Sequence, residues 1–254
     1  MPIPDTASPR DVTSVHHNAL GGEMTLLEHL TELRDRLIRT SIALLLTSLV
    51  SFLFADRLID ILTVPLGGRQ ALEAIDVTEN LGVFMRVSLI SGLILAMPVI
   101  VYQFFSFIVP GLTREERRYL WIIVPSASIL FLAGVAFAYF VMLRAAIPFL
   151  ISFLDIPTAP RPSSYFGFVA RLMFWIGVSF ETPLILAFLS RLGVITPQFL
   201  RQNRKYAVVL IAVISAAITP TVDPFNMLLV MAPLMFLYEL GAFLARLTYR
   251  QRGA

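Results

Sequence analysis

The stretch YLWIIVPSASILFLAGVAFAYFVML, residues 119–143, runs for 25 residues without a charge. As a helix it would reach roughly 37 Å, more than the roughly 30 Å hydrocarbon core of a bilayer. Upstream of it, residues 87–112 form a second uncharged run of 26. Two such runs in succession have no use in a soluble fold, and they assign the chain to the membrane. Composition agrees: the 254 residues are 57% hydrophobic, mean hydropathy is +0.79, and only 15% are charged. An ordinary soluble domain carries about 25% charged residues.

Working outward from these runs gives an all-α, polytopic protein with six transmembrane helices, at 37–55, 82–110, 119–143, 169–190, 206–218 and 224–245. The fifth holds 13 residues, about 20 Å of helix and too little to cross the core. Such a span either thins the bilayer locally or is sheltered by its neighbours. Arg39 can snorkel from the start of the first span, and Arg86 and Arg171 either do the same or form a functional pair.

Fourteen of the 20 Lys and Arg residues fall on the N-terminal side of this arrangement. Arg57, Arg69, Arg144 and Arg161 alone fall in the opposite loops. The positive-inside rule then places both termini in the cytoplasm. The sequence pI near 9.5 reports this bias and not nucleic-acid binding. Residues 1–23 are polar, lack the apolar region of a signal peptide, and are expected to form a flexible tail. Residues 24–248 form one transmembrane domain, followed by a short basic tail at 249–254. Cysteine is absent, and His16, His17 and His29 all precede the first span, so neither disulfide nor metal site is expected.

The segment TLLEHLTELRDRL (25–37) has Leu27, Leu30, Leu33 and Leu37 on one helical face and can lie along the interface or against the bundle. Thr25 and Glu28 have capping-box spacing, and Glu32 and Arg36 are placed for an i,i+4 ion pair. In PGLTREERRYL (110–120), Thr113 and Glu116 repeat the capping-box spacing at the start of the third span. Thr196-Pro197 reads as an N-cap followed by proline at the first helical position. The outer loops 56–79 and 145–164 contain VPLGG and IPTAPRP and are expected to be stiff, partly extended connectors. The turn TPTVDP (219–224) places Asp223 where it can cap the sixth helix.

GVSFETP (177–183) sets Glu181 ten residues from both Arg171 and Arg191, about 15 Å from either end of its span. A carboxylate there costs about 2.5 kcal/mol or more on insertion scales. Pro183 frees the carbonyl of Ser179, so a kink is expected beside it. Glu181 is either a carboxyl bonded to backbone or a neighbouring helix, or a polar site facing a cavity or partner helix. No histidine lies in or near the membrane for a Ser-His-Asp set, and His-Glu-x-x-His is absent, so no enzyme is expected. Glu181 and Glu239, both placed within the membrane, fall on different helices.

HLTELRDRL (29–37), VPL (64–66), FSFIVPGLTREERR (105–118), FAYF (137–140), GVSFETP (177–183) and the TP…D turn (219–223) occur in this order. Together they resemble the TatC family, the multispanning subunits of twin-arginine protein translocases, over roughly residues 25–250. The resemblance implies a concave, glove-like bundle of six helices with the fifth and sixth short. It implies a core receptor in the bacterial cytoplasmic (inner) membrane that binds twin-arginine signal peptides on its cytoplasmic face. Single-span TatA and TatB partners, a multimeric complex and use of the proton-motive force follow from it, with no cofactor. Carried over by motif, Glu32 and Glu116 are the acids that receive the twin arginines, with Arg34, Phe107 and Pro110 beside them. Glu181 is the buried glutamate of the fourth helix, and Pro65 and Asp223 are functional positions of the outer loops. TPTVD is one residue longer than the commoner TPPD form. A proton-coupled small-solute transporter is the competing class, opposed by the lack of an internal repeat and the scarcity of intramembrane polar residues.

Overall fold

Residues 26–63 contain neither glycine nor proline, and they form one continuous helix, α1 (Leu26–Thr63). The amphipathic segment is therefore the first turns of the spanning helix, with nothing in the sequence to break it off. The computed structural model describes residues 26–108, 114–152, 158–219 and 223–249. The polar tail at 1–23, Thr25, Pro110, Thr113, the middle of the TPTVDP turn and the end at 250–254 lie outside the described residues. After α1 come α2 (Glu79–Ile108), α3 (Arg114–Phe137), α4 (Leu143–Ser152), α5 (Pro162–Phe180) and α6 (Thr182–Arg191). The chain continues with α7 (Pro197–Gln202), α8 (Arg204–Ile218) and α9 (Pro224–Thr248).

Five helical stretches among the described residues are long and apolar enough to cross a bilayer: His29–Leu66, Glu79–Phe107, Ile122–Ser152, Pro162–Arg191 and Pro224–Thr248. α8, with 15 residues, spans about 22 Å and is the short helix expected. α9 departs from the expected short helix. Asp223 caps its start, and it runs for 25 residues, past Ala245, because neither Glu239 nor Arg246 interrupts a helix.

The segments 56–79 and 145–164 are also more helical than expected. A π-helical turn at Ala138–Met142 carries α3 directly into α4, whose Ala146 and Ile147 are buried in the core. Pro162 stands in the first turn of α5, where its missing amide costs nothing. Thr196 accepts from the amide of Phe199 and starts α7 as the sequence suggests.

α1 packs chiefly along α2, which also meets α3 and α5, while α6 packs on α9 and α9 on α8. One apolar core joins Val87, Met142, Phe166, Ile176 and Val230, and a second joins Met97, Phe105, Phe131 and Phe188. Where α3 crosses α5, a Cβ on Gly134 would sit 2.9 Å from the Cα of Gly177. In hydrocarbon, where no hydrophobic effect drives helices together, such close backbone contact supplies the packing energy.

Candidate functional site

The first turns of α1 lie against the last turns of α2. The His29 ring stacks on Phe107 at 4.3 Å between centroids and 25° between planes. One turn further on, Arg36 directs both Nε and Nη2 at Oε1 of Glu32, the i,i+4 ion pair expected from spacing. The same arginine reaches across through Nη1 to Oε1 of Gln103, 3.4 Å away on α2, where Gln103 is buried. Oε2 of Glu32 is buried, and nothing among the described residues donates to it. A carboxylate with one oxygen engaged retains acceptor capacity on the other.

Glu32 and Phe107 are thus brought to one seam. Arg34 points elsewhere, paired with its neighbour Asp35 at 2.9 Å on an exposed face. Glu116 stands in the first turn of α3 by its backbone; its side chain lies outside what the structure describes. Gln103, Arg36 and His29 belong to the seam but were not singled out for it from sequence. The signal for His29 and Arg36 is their i,i+3 and i,i+4 spacing around Glu32, which sets those three on one face; Gln103, on α2, had none.

Glu181 occupies the single residue between α5 and α6, and Pro183 in the first turn of α6 makes the break expected there. Its side chain is buried, and Oε1 has no hydrogen-bond partner among the described residues. α9 passes close by: a Cβ on Gly241 would meet Cα of Pro183 at 3.0 Å. Glu239, expected within the membrane, instead pairs with Arg204 at 2.7 Å, joining α9 to the start of α8. Arg86 and Arg171 do not form a pair with each other: Arg86 donates to the Ser163 carbonyl at 3.0 Å and Arg171 to the Gly167 carbonyl at 3.2 Å.

At the other end of the bundle, Pro65 sits in a 3-10 turn, Val64–Leu66, that closes α1. The hydroxyl of Tyr139 donates to the Ile61 carbonyl at 2.8 Å, and that of Tyr165 to the Leu62 carbonyl at 2.6 Å. These are last-turn carbonyls that a helix cannot satisfy itself. Arg69 folds back on Asp56 and Asp60; desolvation works against its charge, but the two carboxylates outweigh it and raise its pKa.

Glu79, which carried no assignment from sequence, clasps the outer loops together. It accepts from the Ile75 amide at 3.2 Å, from the Ser163 amide at 3.0 Å and from the Ser163 hydroxyl, and it meets Arg161 at 3.5 Å. Its signal was position alone, an acid at the mouth of an apolar run. Asp223 caps α9 through the Asn226 amide at 2.7 Å and holds the Asn226 side chain at 2.9 Å. Among the described residues, no three His, Cys, Asp or Glu side chains are grouped to hold a metal.

The fold and these two ends define a multi-pass membrane protein without an enzymatic constellation among the described residues. The family model of the Sec-independent protein translocase protein TatC matches residues 28–233. TatC of Aquifex aeolicus is 40% identical over 236 residues, 90% of this chain and 98% of that protein. TatC of Desulforapulum autotrophicum is 37% identical over 233 residues, 89% and 86% of the two chains, and TatCy of Bacillus subtilis is 36% identical over 237, 90% and 91%. A solved structure described as the twin-arginine translocase receptor TatC superposes with a TM-score of 0.79 at 38% identity, covering 88% of this chain and all of that one. The chain belongs to the TatC family of protein translocase components.

Proposed function

We propose that this chain is the receptor subunit of a twin-arginine translocase and that the seam between α1 and α2 receives the paired arginines of a signal peptide. The observation that carries this reading is the buried Oε2 of Glu32, without a donor among the described residues, beside the His29–Phe107 stack. Arg36 occupies only the other oxygen. A guanidinium fork matches a carboxylate bidentately, which an ammonium cannot do. An arriving arginine takes Oε2 and displaces Arg36 toward Gln103. Glu116 serves the second arginine, with Arg34, Phe107 and Pro110 framing the entrance. The apolar segment of the peptide then packs along the bundle toward Glu181, which offers a polar contact to it or to a partner helix. Pro65 and Asp223 act at the outer face.

The charge asymmetry supports a cytoplasmic-membrane location with both termini and the seam inside. Family membership supports assembly with the single-span TatA and TatB subunits into a multimeric complex driven by the proton-motive force. No observation favours a small-solute transporter. The test is binding of peptides bearing Arg-Arg or Lys-Lys to the protein in lipid nanodiscs, repeated with Glu32→Gln and Glu116→Gln. A preference for Arg-Arg that collapses in the variants is expected; equal binding of both peptides by the double variant and the unaltered protein would sink the assignment.

A further inference from the structure

A cavity of about 340 Å³ opens between α1, α2, the end of α3 with its π turn, and α5. Of the side chains around it only Ser91 and Tyr139 carry a polar atom, and the Tyr139 hydroxyl is already committed to the Ile61 carbonyl. An apolar cavity of this kind stays dry and takes apolar ligands. Every wall belongs to a membrane-spanning stretch, so the medium outside it is hydrocarbon. A hydrocarbon chain matches such a lining.

A charge stands beside the opening. Phe140 lines the cavity, and the Arg144 guanidinium lies 5.6 Å from the centroid of its ring. Arg144 ends the uncharged run 119–143. Arg69 and Arg161 are paired with carboxylates, whereas Arg144 is exposed and forms no ion pair among the described residues. An unpaired guanidinium at the rim of a dry cavity matches one molecule with an anionic phosphate and an apolar tail.

We propose that the cavity holds one acyl chain of a phospholipid whose phosphate is bound by Arg144. The π turn contributes to the site, since Tyr139 and Phe140 lie within it and both reach the cavity. The proposal rests on the spanning assignments and not on the receptor reading.

The test uses the full chain in nanodiscs containing a phosphatidylglycerol with a diazirine at mid-chain, irradiated and mapped by mass spectrometry. Cross-links are expected to concentrate on Ile90, Ile94, Val135 and Val169. They should fall at least five-fold in Ala136→Phe, which fills the cavity, and in Arg144→Gln, which leaves it open. Native mass spectrometry after delipidation should show one retained phospholipid per chain, lost in both variants. If Ala136→Phe fails to fold, Arg144→Gln alone decides. Labelling of these residues at the rate of the lipid-facing Leu45 and Val209, or labelling unchanged by the variants, overturns the proposal. So does labelling of the same residues by a photoreactive leucine in a twin-arginine peptide when the lipid leaves them unmarked.

Discussion

A single carboxylate oxygen distinguishes the two ends of the ion pair between Glu32 and Arg36. Removing the acid and removing the base should therefore act in opposite directions. Glu32→Gln is expected to weaken twin-arginine peptide binding by at least ten-fold, since a hydrogen bond to a charged group contributes about 1.5–3 kcal/mol. Arg36→Gln should tighten it several-fold by clearing a competitor from Oε1; titration calorimetry in nanodiscs reads both. Asp223 is a simpler case. Asp223→Ala removes the α9 cap at a cost of about 1 kcal/mol, while Asp223→Asn keeps most of it, and thermal unfolding in detergent separates the two.

Among the elements, the break between α5 and α6 has the clearest local cause. Pro183→Ala restores an amide for the Ser179 carbonyl, so the helix should straighten and shift Glu181. Transport is expected to drop several-fold while peptide binding at the distant seam persists, as measured by export in vesicles alongside peptide binding. Gly177→Leu places its side chain into Phe131, whose Cε2 would already stand 2.7 Å from a Cβ there. A loss of about 1–3 kcal/mol, or failure to fold, is expected from such overpacking.

Five of the six expected spans were legible in the sequence because charge-free runs and prolines are local signals. So were the ion pair of Glu32, the capping by Asp223 and the break at Pro183. The continuity of α1 was legible too, in its lack of Gly and Pro, but the amphipathic stripe suggested a separate helix. The clasp of Glu79 and the reach of Arg36 to Gln103 were not legible. Each joins residues 67 or more positions apart, and no periodicity records which side chain a distant helix presents.

Across the molecule as a whole, the positive-inside rule puts fourteen Lys and Arg residues on the side of the termini, and the lack of cysteine makes that expectation readable. Single cysteines at Gly67 or Thr158 should react with an impermeant maleimide added outside intact cells, and cysteines at His16 or Arg252 only after lysis. α1, which packs chiefly on α2, is secured near its two ends: by the His29–Phe107 stack and by Tyr139 and Tyr165. The tyrosine bonds end on backbone oxygens, and this makes the outer attachment blind to which residues α1 bears at 61 and 62. The two bonds survive substitution at 61 and 62 so long as the helix persists, even though both side chains line the cavity and Leu62 packs on the core. A moorage of this sort lets the outer surface of α1 be rewritten for new neighbours without loosening its berth.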